Sequence, residues 1–271
     1  MIAEAPRAQI SLKERRHQDK SGRSIVPTAV TTAVLEAGVS RQHLTHAACG
    51  MTRERRGMVT AMNGRSAMGF YQEWIVPALI DLSMRNKRLR PYRERVAGAA
   101  EGRVLDVGVG SGLNLPFYAR NAQEIFGLDP SPLLLTRAQT NAQHFHNPVH
   151  LIEGSAERIP LADRSLDTIV MTWTGCSIPE VCTALEEMRR VLKIGGRLLF
   201  VEHGRAPEAS VARWQDRLDP FWHRLSGGCH LNRKIDDLLS DAGFRIDRLE
   251  TGYIPGPRLM TFLYEGSATP T

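Results

Sequence analysis

Residues Arg103 to Tyr118, RVLDVGVGSGLNLPFY, constrain the fold more than any other stretch of the chain. Val104, Leu105 and Val107 around one Asp form an apolar run short enough for a buried parallel strand. Three glycines then come at alternate positions, Gly108, Gly110 and Gly112. Lacking Cβ, a glycine reaches positive φ and lets another molecule lie directly on the backbone. The stretch reads as strand, glycine turn and helix, which makes a ligand seat at the carboxyl edge of a sheet.

Spacing separates the ligands that use such a seat. Counted from Gly108, the dinucleotide fingerprint G-x-G-x-x-G needs its third glycine at position 113, which is Leu113. The pattern is instead Asp-x-Gly-x-Gly-x-Gly from Asp106 to Gly112. An acid two residues before the first glycine suits a ligand with a cationic amino group, which a pyrophosphate is not. The pattern resembles motif I of the class I S-adenosylmethionine (SAM) methyltransferases. That resemblance implies SAM as cofactor, with Asp106, Gly108, Gly110, Gly112 and Asn114 in its seat.

A second acid follows the next predicted strand, Gln123 to Leu128. Asp129 in FGLDPSP comes 21 residues after Gly108, where a carboxylate can accept both ribose hydroxyls of an adenosine ligand. The alternative is an Asp before Pro130 in a turn, with Ser131 capping a helix that runs to about His144. Strands follow at Val149 to Glu153 and Ser165 to Thr172, then a helix through Val191, the turn KIGG and a strand over Arg197 to Glu202. A helix over Ile235 to Ala242 precedes a final antiparallel pair, Phe244 to Thr251 and Leu259 to Glu265. Helix after strand, repeated, predicts an α/β, Rossmann-like fold with a seven-stranded, mostly parallel sheet, an antiparallel last strand and helices on both faces.

The resemblance extends along the chain. In GSAERIPL the methyltransferase pattern puts Ser155 and Ala156 beside the adenine, and Thr172 at the end of its strand joins the cofactor set with Pro130. Glu187 to Leu198, E-x-x-R-V-L-x-x-G-G-R-L, resembles the segment before strand five of the same superfamily. Together with VEH (Val201 to His203) and WQDRLDPFWHRLSGGCHLNR (Trp214 to Arg233), these motifs resemble the methyltransferase type 11 group. Within it the resemblance is nearest to the alkyl thiol S-methyltransferases, with the ubiquinone/menaquinone C-methyltransferases also related. It implies an enzyme that transfers methyl to a small nucleophile, a thiol or sulfide, the alternatives being a phospholipid amine or a quinone precursor. A SAM-binding protein without catalysis remains the reading from another class.

Methyl transfer asks for an aligned nucleophile and a dry site, and a thiol acceptor must arrive as thiolate. His203 and His230 are the candidate bases, each also readable as a packed or capping residue. Trp173, Cys176, Trp222 and Cys229 are the expected acceptor wall, with Trp214 and Phe221 beside them. No Cys or carboxylate completes a metal-ligand spacing with His144, His146 and His150, so no metal is expected.

Residues 1 to 63 hold ten Lys/Arg and five acids, so much of the formal charge of +6 lies there. They read as a basic, flexible extension able to meet a membrane surface, followed by the methyltransferase domain from 64 to 271. From Met68, Phe70, Trp74, Ile75, Ala78, Leu79 and Leu82 recur at helical spacing, with Pro77 expected to kink the run. Tyr71 among them is a candidate for the methionyl part of the cofactor. The near-neutral remainder does not suggest nucleic-acid binding, and no run approaches the length of a membrane span. The four cysteines lack any Cys-x-x-Cys and read as free thiols of a cytoplasmic protein.

Overall fold

The computed structural model describes residues 76 to 143 and 145 to 271. The extension over 1 to 63, Tyr71, His144 and the first part of the run from Met68 lie outside them. Seven strands form one sheet: β1 (Gly102–Val107), β2 (Ala122–Asp129), β3 (Val149–Glu153), β4 (Leu166–Thr172), β5 (Leu192–His203), β6 (Phe244–Tyr253) and β7 (Phe262–Pro270). Their order is β3-β2-β1-β4-β5-β7-β6. β1 to β5 pair in parallel, and β7 inserts antiparallel between β5 and β6. The sheet therefore has the predicted Rossmann-like form, with one antiparallel strand.

Helices cover both faces: α1 (Val76–Met84), α2 (Arg90–Gly98), α3 (Pro132–Ala142), α4 (Val181–Val191), α5 (Ala209–Leu225) and α6 (Ile235–Asp241). The side chains of a strand alternate between faces, and the core divides accordingly. Ile169 and Met171 of β4 with Leu198 and Phe200 of β5 pack against Leu185 and Met188 of α4 and Leu239 of α6. Val170, Leu199 and Val201 point the other way, to Val96 and Ala97 of α2 and Ala138 of α3.

Four expectations are corrected. The glycine turn does not lead into an α-helix but into a single 3-10 turn, Leu115–Phe117. Only nine residues separate Gly112 from the start of β2 at Ala122, and Pro116 disfavours α geometry at Leu115, so there is no room for a helix and a return. The KIGG turn is absorbed into β5 as an irregularity, with Gly195 at φ 80°. And the apolar pattern of α1 does not mark its buried face: Leu79 and Leu82 are exposed while Val76 and Asp81 are buried. Of the cysteines, Cys176 and Cys229 carry free thiols as expected, whereas Cys182 is disulfide-bonded.

α5 turns polar groups inward. Gln215, fully buried, donates to the carbonyls of Gly204 and Leu259, both at 3.0 Å, and accepts from the Ala206 amide at 2.9 Å. Replacing it leaves those backbone groups buried and unpaired, at about 1–3 kcal/mol for each. Gln215→Leu should lower unfolding stability by about 3 kcal/mol in urea titrations, whereas Leu82→Glu on the exposed face of α1 should change it by less than about 0.5 kcal/mol.

Candidate active site

The carboxyl edge of β1, β2 and β4 opens on a cavity of about 360 Å³. Its floor is the glycine loop and its walls come from the ends of the strands, so the sequence order of motifs becomes a ring around one space. Gly108, Gly110, Asn114, Asp129, Pro130, Ser155, Ala156, Thr172 and Trp173 all line it. Gly108, Gly110 and Gly112 take φ of 69°, 56° and 81°, the left-handed conformation that the turn requires.

Asp129 at the tip of β2 accepts from the Gly110 amide at 2.9 Å and the Ser131 amide at 2.8 Å, one on each carboxylate oxygen. Burial raises its pKa against these two amides, which lower it. Its oxygens retain further lone pairs for ribose hydroxyls. Ser131 caps α3, as expected, through the Leu134 amide.

Asp106 does not reach the cavity wall. It is fully buried, and both its oxygens accept from Asn114 Nδ2, at 3.0 and 3.1 Å. Asn114 also donates to Thr172 Oγ1 at 3.0 Å and accepts from Arg93 at 2.6 Å. Burial pushes the Asp106 carboxyl up to about 6, opposed by Asn114 and the Arg93 charge. Arg93 was not legible as a site residue. It lies in a stretch of arginines where nothing in the spacing marks one as buried, yet it lines the cavity and its guanidinium stacks 4.8 Å from the Trp173 ring. Asp81 of α1, equally unmarked, lines the cavity while accepting from Ser111 and from Arg85 and Arg137, both at 3.0 Å.

Trp173, just beyond β4, takes φ 51°. A non-glycine residue held there stores about 1–3 kcal/mol, a strain that concentrates at functional sites. It is held by the Val201 carbonyl at 2.9 Å and flanked by Tyr92 and Arg93.

The other acceptor candidates are not on the cavity wall. Trp222 is absent from it, and Trp214 and Phe221 point to solvent because α5 buries its polar side instead. His203 and Cys229 meet each other, with Nε2 3.0 Å from Sγ, and Cys176 joins them one layer behind Ser177 of the wall. His230 Nδ1 is 2.8 Å from Asp219, and its ring stacks on His223. Neither histidine lines the cavity.

Gly108 and Gly110 separate two costs. A methyl group on Gly108 would run into the Thr174 side chain, whereas on Gly110 it meets nothing nearer than 3.9 Å. Gly108→Ala should cost about 3 kcal/mol and Gly110→Ala only about 1 kcal/mol of backbone strain, read by urea unfolding. If the buried Asp106 carboxylate favours a cationic ligand in the seat, it does so only when ionised. Affinity for SAM measured by calorimetry should therefore fall as pH drops below about 6, the value to which burial raises this group, and affinity for the demethylated product, which keeps the same amino group, should fall with it.

Comparisons with known proteins agree with this geometry. A family model described as "Methyltransferase domain" matches residues 105–200. Thiol S-methyltransferase TMT1B of Rattus norvegicus is 34% identical over 151 residues, 54% of this chain; the match spans 62% of that protein's own length. Phosphatidylethanolamine N-methyltransferase of Cereibacter sphaeroides is 31% identical over 197 residues, covering 71% of this chain and 93% of that one. A SAM-dependent methyltransferase structure from Aquifex aeolicus shares the fold, with a TM-score of 0.54 at 22% identity over 72% of this chain and 98% of that chain. Motif I, the acid after β2, the strand order and these relatives together place the chain in the class I SAM-dependent methyltransferases, with SAM as its cofactor and the Methyltransferase domain at its centre.

Proposed function

We propose that the enzyme methylates the sulfur of a small apolar thiol or of sulfide. The observation that carries this reading is the make-up of the cavity wall. Its titratable side chains among the described residues are Asp81, Arg93 and Asp129, and each is already engaged by hydrogen bonds. Beyond the cofactor seat the wall is mostly apolar, from Val76, Pro77, Ile80 and Met84 of α1 to Ile178 and Pro179, with Thr174 and Ser177 the polar side chains among them. Such a wall suits an acceptor that ionises by itself. A thiol does so with an unperturbed pKa near 8.5, and the thiolate is the nucleophile. The protein then has to align sulfur with the sulfonium methyl and keep water out. The similarity to the rat thiol S-methyltransferase supports the same acceptor class.

A second reading, an amine on a lipid headgroup, has its own observation. Trp214, Leu218, Phe221 and Leu225 form an exposed apolar stripe along α5, with exposed Arg213, Arg217 and Arg224 beside it. Apolar and cationic stripes side by side suit a helix lying in an anionic membrane interface. The similarity to the phosphatidylethanolamine enzyme points in that direction. No helix among the described residues is long and apolar enough to cross a membrane.

One assay separates the two. SAM consumption is measured against alkyl thiols, sulfide, a quinol precursor and phosphatidylethanolamine vesicles, with Asp129→Ala as the inactive control. Turnover with thiols is expected, rising up to about tenfold per pH unit below the thiol pKa as the thiolate fraction grows. Turnover confined to vesicles, and lost in Trp214→Glu/Phe221→Glu, would replace the thiol by the lipid.

A further inference from the structure

Cys176, His203 and Cys229 are separated by 27 and 26 residues, far from the short Cys-x-x-Cys and His-x-x-x-His steps of common zinc motifs. The fold nevertheless gathers them. Cys176 lies in the loop after β4, His203 ends β5, and Cys229 lies in the turn after α5. Their ligand atoms are all within 4.8 Å of one another, with His203 Nε2 3.0 Å from Cys229 Sγ, and both thiols are free. We infer that this cluster binds one thiophilic divalent cation of the zinc class through two thiolates and one imidazole.

The geometry is close to that of a site. Zinc–sulfur bonds of about 2.3 Å and zinc–nitrogen bonds of about 2.0 Å in a tetrahedron put ligand atoms roughly 3.5–3.9 Å apart. The separations in the cluster, 3.0 Å for one pair and none above 4.8 Å, bracket that range. The donor set also selects the ion: thiolate and imidazole favour zinc and similar cations over magnesium or calcium, which take oxygen.

The electrostatics of the surroundings allow it. Glu202, fully buried next to His203, spends its carboxylate on the amides of Thr174, Gly175 and Cys176, at 2.8, 2.9 and 3.4 Å. Arg233 donates to the carbonyls of Gly175 and Ile178, at 2.5 and 2.7 Å. These two opposite charges offset each other without the cluster. A dication that displaces two thiol protons therefore leaves the net charge of the region unchanged, and no uncompensated charge is buried.

Three protein ligands leave a fourth position open, the ligand count of a catalytic rather than a closed structural zinc site. Ser177 Oγ is 3.5 Å from Cys176 Sγ and Ser177 lines the cavity, so the cluster is one side chain removed from the acceptor end. His203 Nδ1 is buried with no hydrogen-bond partner. Metal-binding histidines usually hand that N–H to an acceptor, and without one the affinity should be about 10–100-fold below that of a fully supported site.

The test uses the full-length protein, freed of metal with the Cys182 disulfide kept intact, titrated with Co²⁺ and then with Zn²⁺ against a chromophoric chelator. One equivalent of Co²⁺ should produce a near-ultraviolet thiolate-to-cobalt charge-transfer band that Zn²⁺ abolishes. Cys176→Ser and Cys229→Ser should each diminish the band and weaken zinc at least about 100-fold, and His203→Gln should weaken it about 10–100-fold. SAM binding by calorimetry, run on each variant, reports folding; for any variant that loses it, the wild-type band alone decides. A wild-type protein without the band, or a Cys176→Ser/Cys229→Ser variant that keeps both the band and full zinc affinity, would overturn the inference. No readout needs a methyl acceptor, so the result is independent of whether the acceptor is a thiol.

Discussion

The loop after β4 depends on one buried carboxylate and one half-buried guanidinium. Backbone N–H and C=O groups of a loop at a sheet edge have no ladder to join, and leaving them unpaired away from water costs about 1–3 kcal/mol each. Here the amides of Thr174, Gly175 and Cys176 go to Glu202, and the carbonyls of Gly175 and Ile178 go to Arg233. One acid takes the donors and one base takes the acceptors. Burial raises the pKa of Glu202, but the three amides and the His203 ring next to it oppose that rise. This pairing lets Trp173 be held at positive φ over the cavity, puts Ser177 in its wall and turns Cys176 toward His203. Removing either charge would free several backbone groups and strand its partner, so the loop tolerates neither loss.

The glycine loop is held from the other side by a similar economy. With no helix after Gly112, the turn cannot draw rigidity from a helical ladder. Asn114 supplies it by joining Asp106, Thr172 and Arg93, so that the ends of β1 and β4 and the helix α2 are tied at one amide group. The Asp106 carboxylate and the Arg93 guanidinium are both buried and lie on opposite sides of that amide, and each offsets part of the other's desolvation.

What could be read from the chain follows from how local each cause is. β3 has the limits that its apolar run marks, and α3 begins at the Ser131 cap, because strand periodicity and capping are properties of neighbouring residues. The cavity residues Gly108, Gly110, Asn114, Asp129, Pro130, Ser155, Ala156, Thr172 and Trp173 were legible for a related reason: each stands at the carboxyl end of a strand or in the loop after it, and a parallel sheet aligns those ends. Asp81 and Arg93 were not, since their burial depends on which helix faces lean over the sheet edge. Trp222 and Cys229 lie off the cavity wall because the rotation of α5 is set by Gln215 and Asp219, whose partners are 9 to 44 residues away, and Cys176 lies off it in the loop after β4, whose amides turn to Glu202.

That rotation is an energetic balance. Turning α5 to bury Trp214, Leu218, Phe221 and Leu225 would gain about 1.5–3 kcal/mol for each apolar side chain. It would also free the Gly204 and Leu259 carbonyls, the Ala206 and Leu231 amides and the Asp219 carboxylate, at about 1–3 kcal/mol for each neutral group and more for the charge. The two sums are of the same size, so hydrophobic burial alone does not set the helix. What decides the sign is geometry: the inward face of α5 spans the loops that follow β5 and precede β7, and Gln215 and Asp219 stand where their side chains meet the backbone groups there. Satisfying them leaves the apolar stripe outside, where any surface that covers it adds its full transfer energy with no competing polar cost. An anionic interface would add the arginines beside it to that gain, which is why this stripe, more than the basic leader, bears on a lipid acceptor.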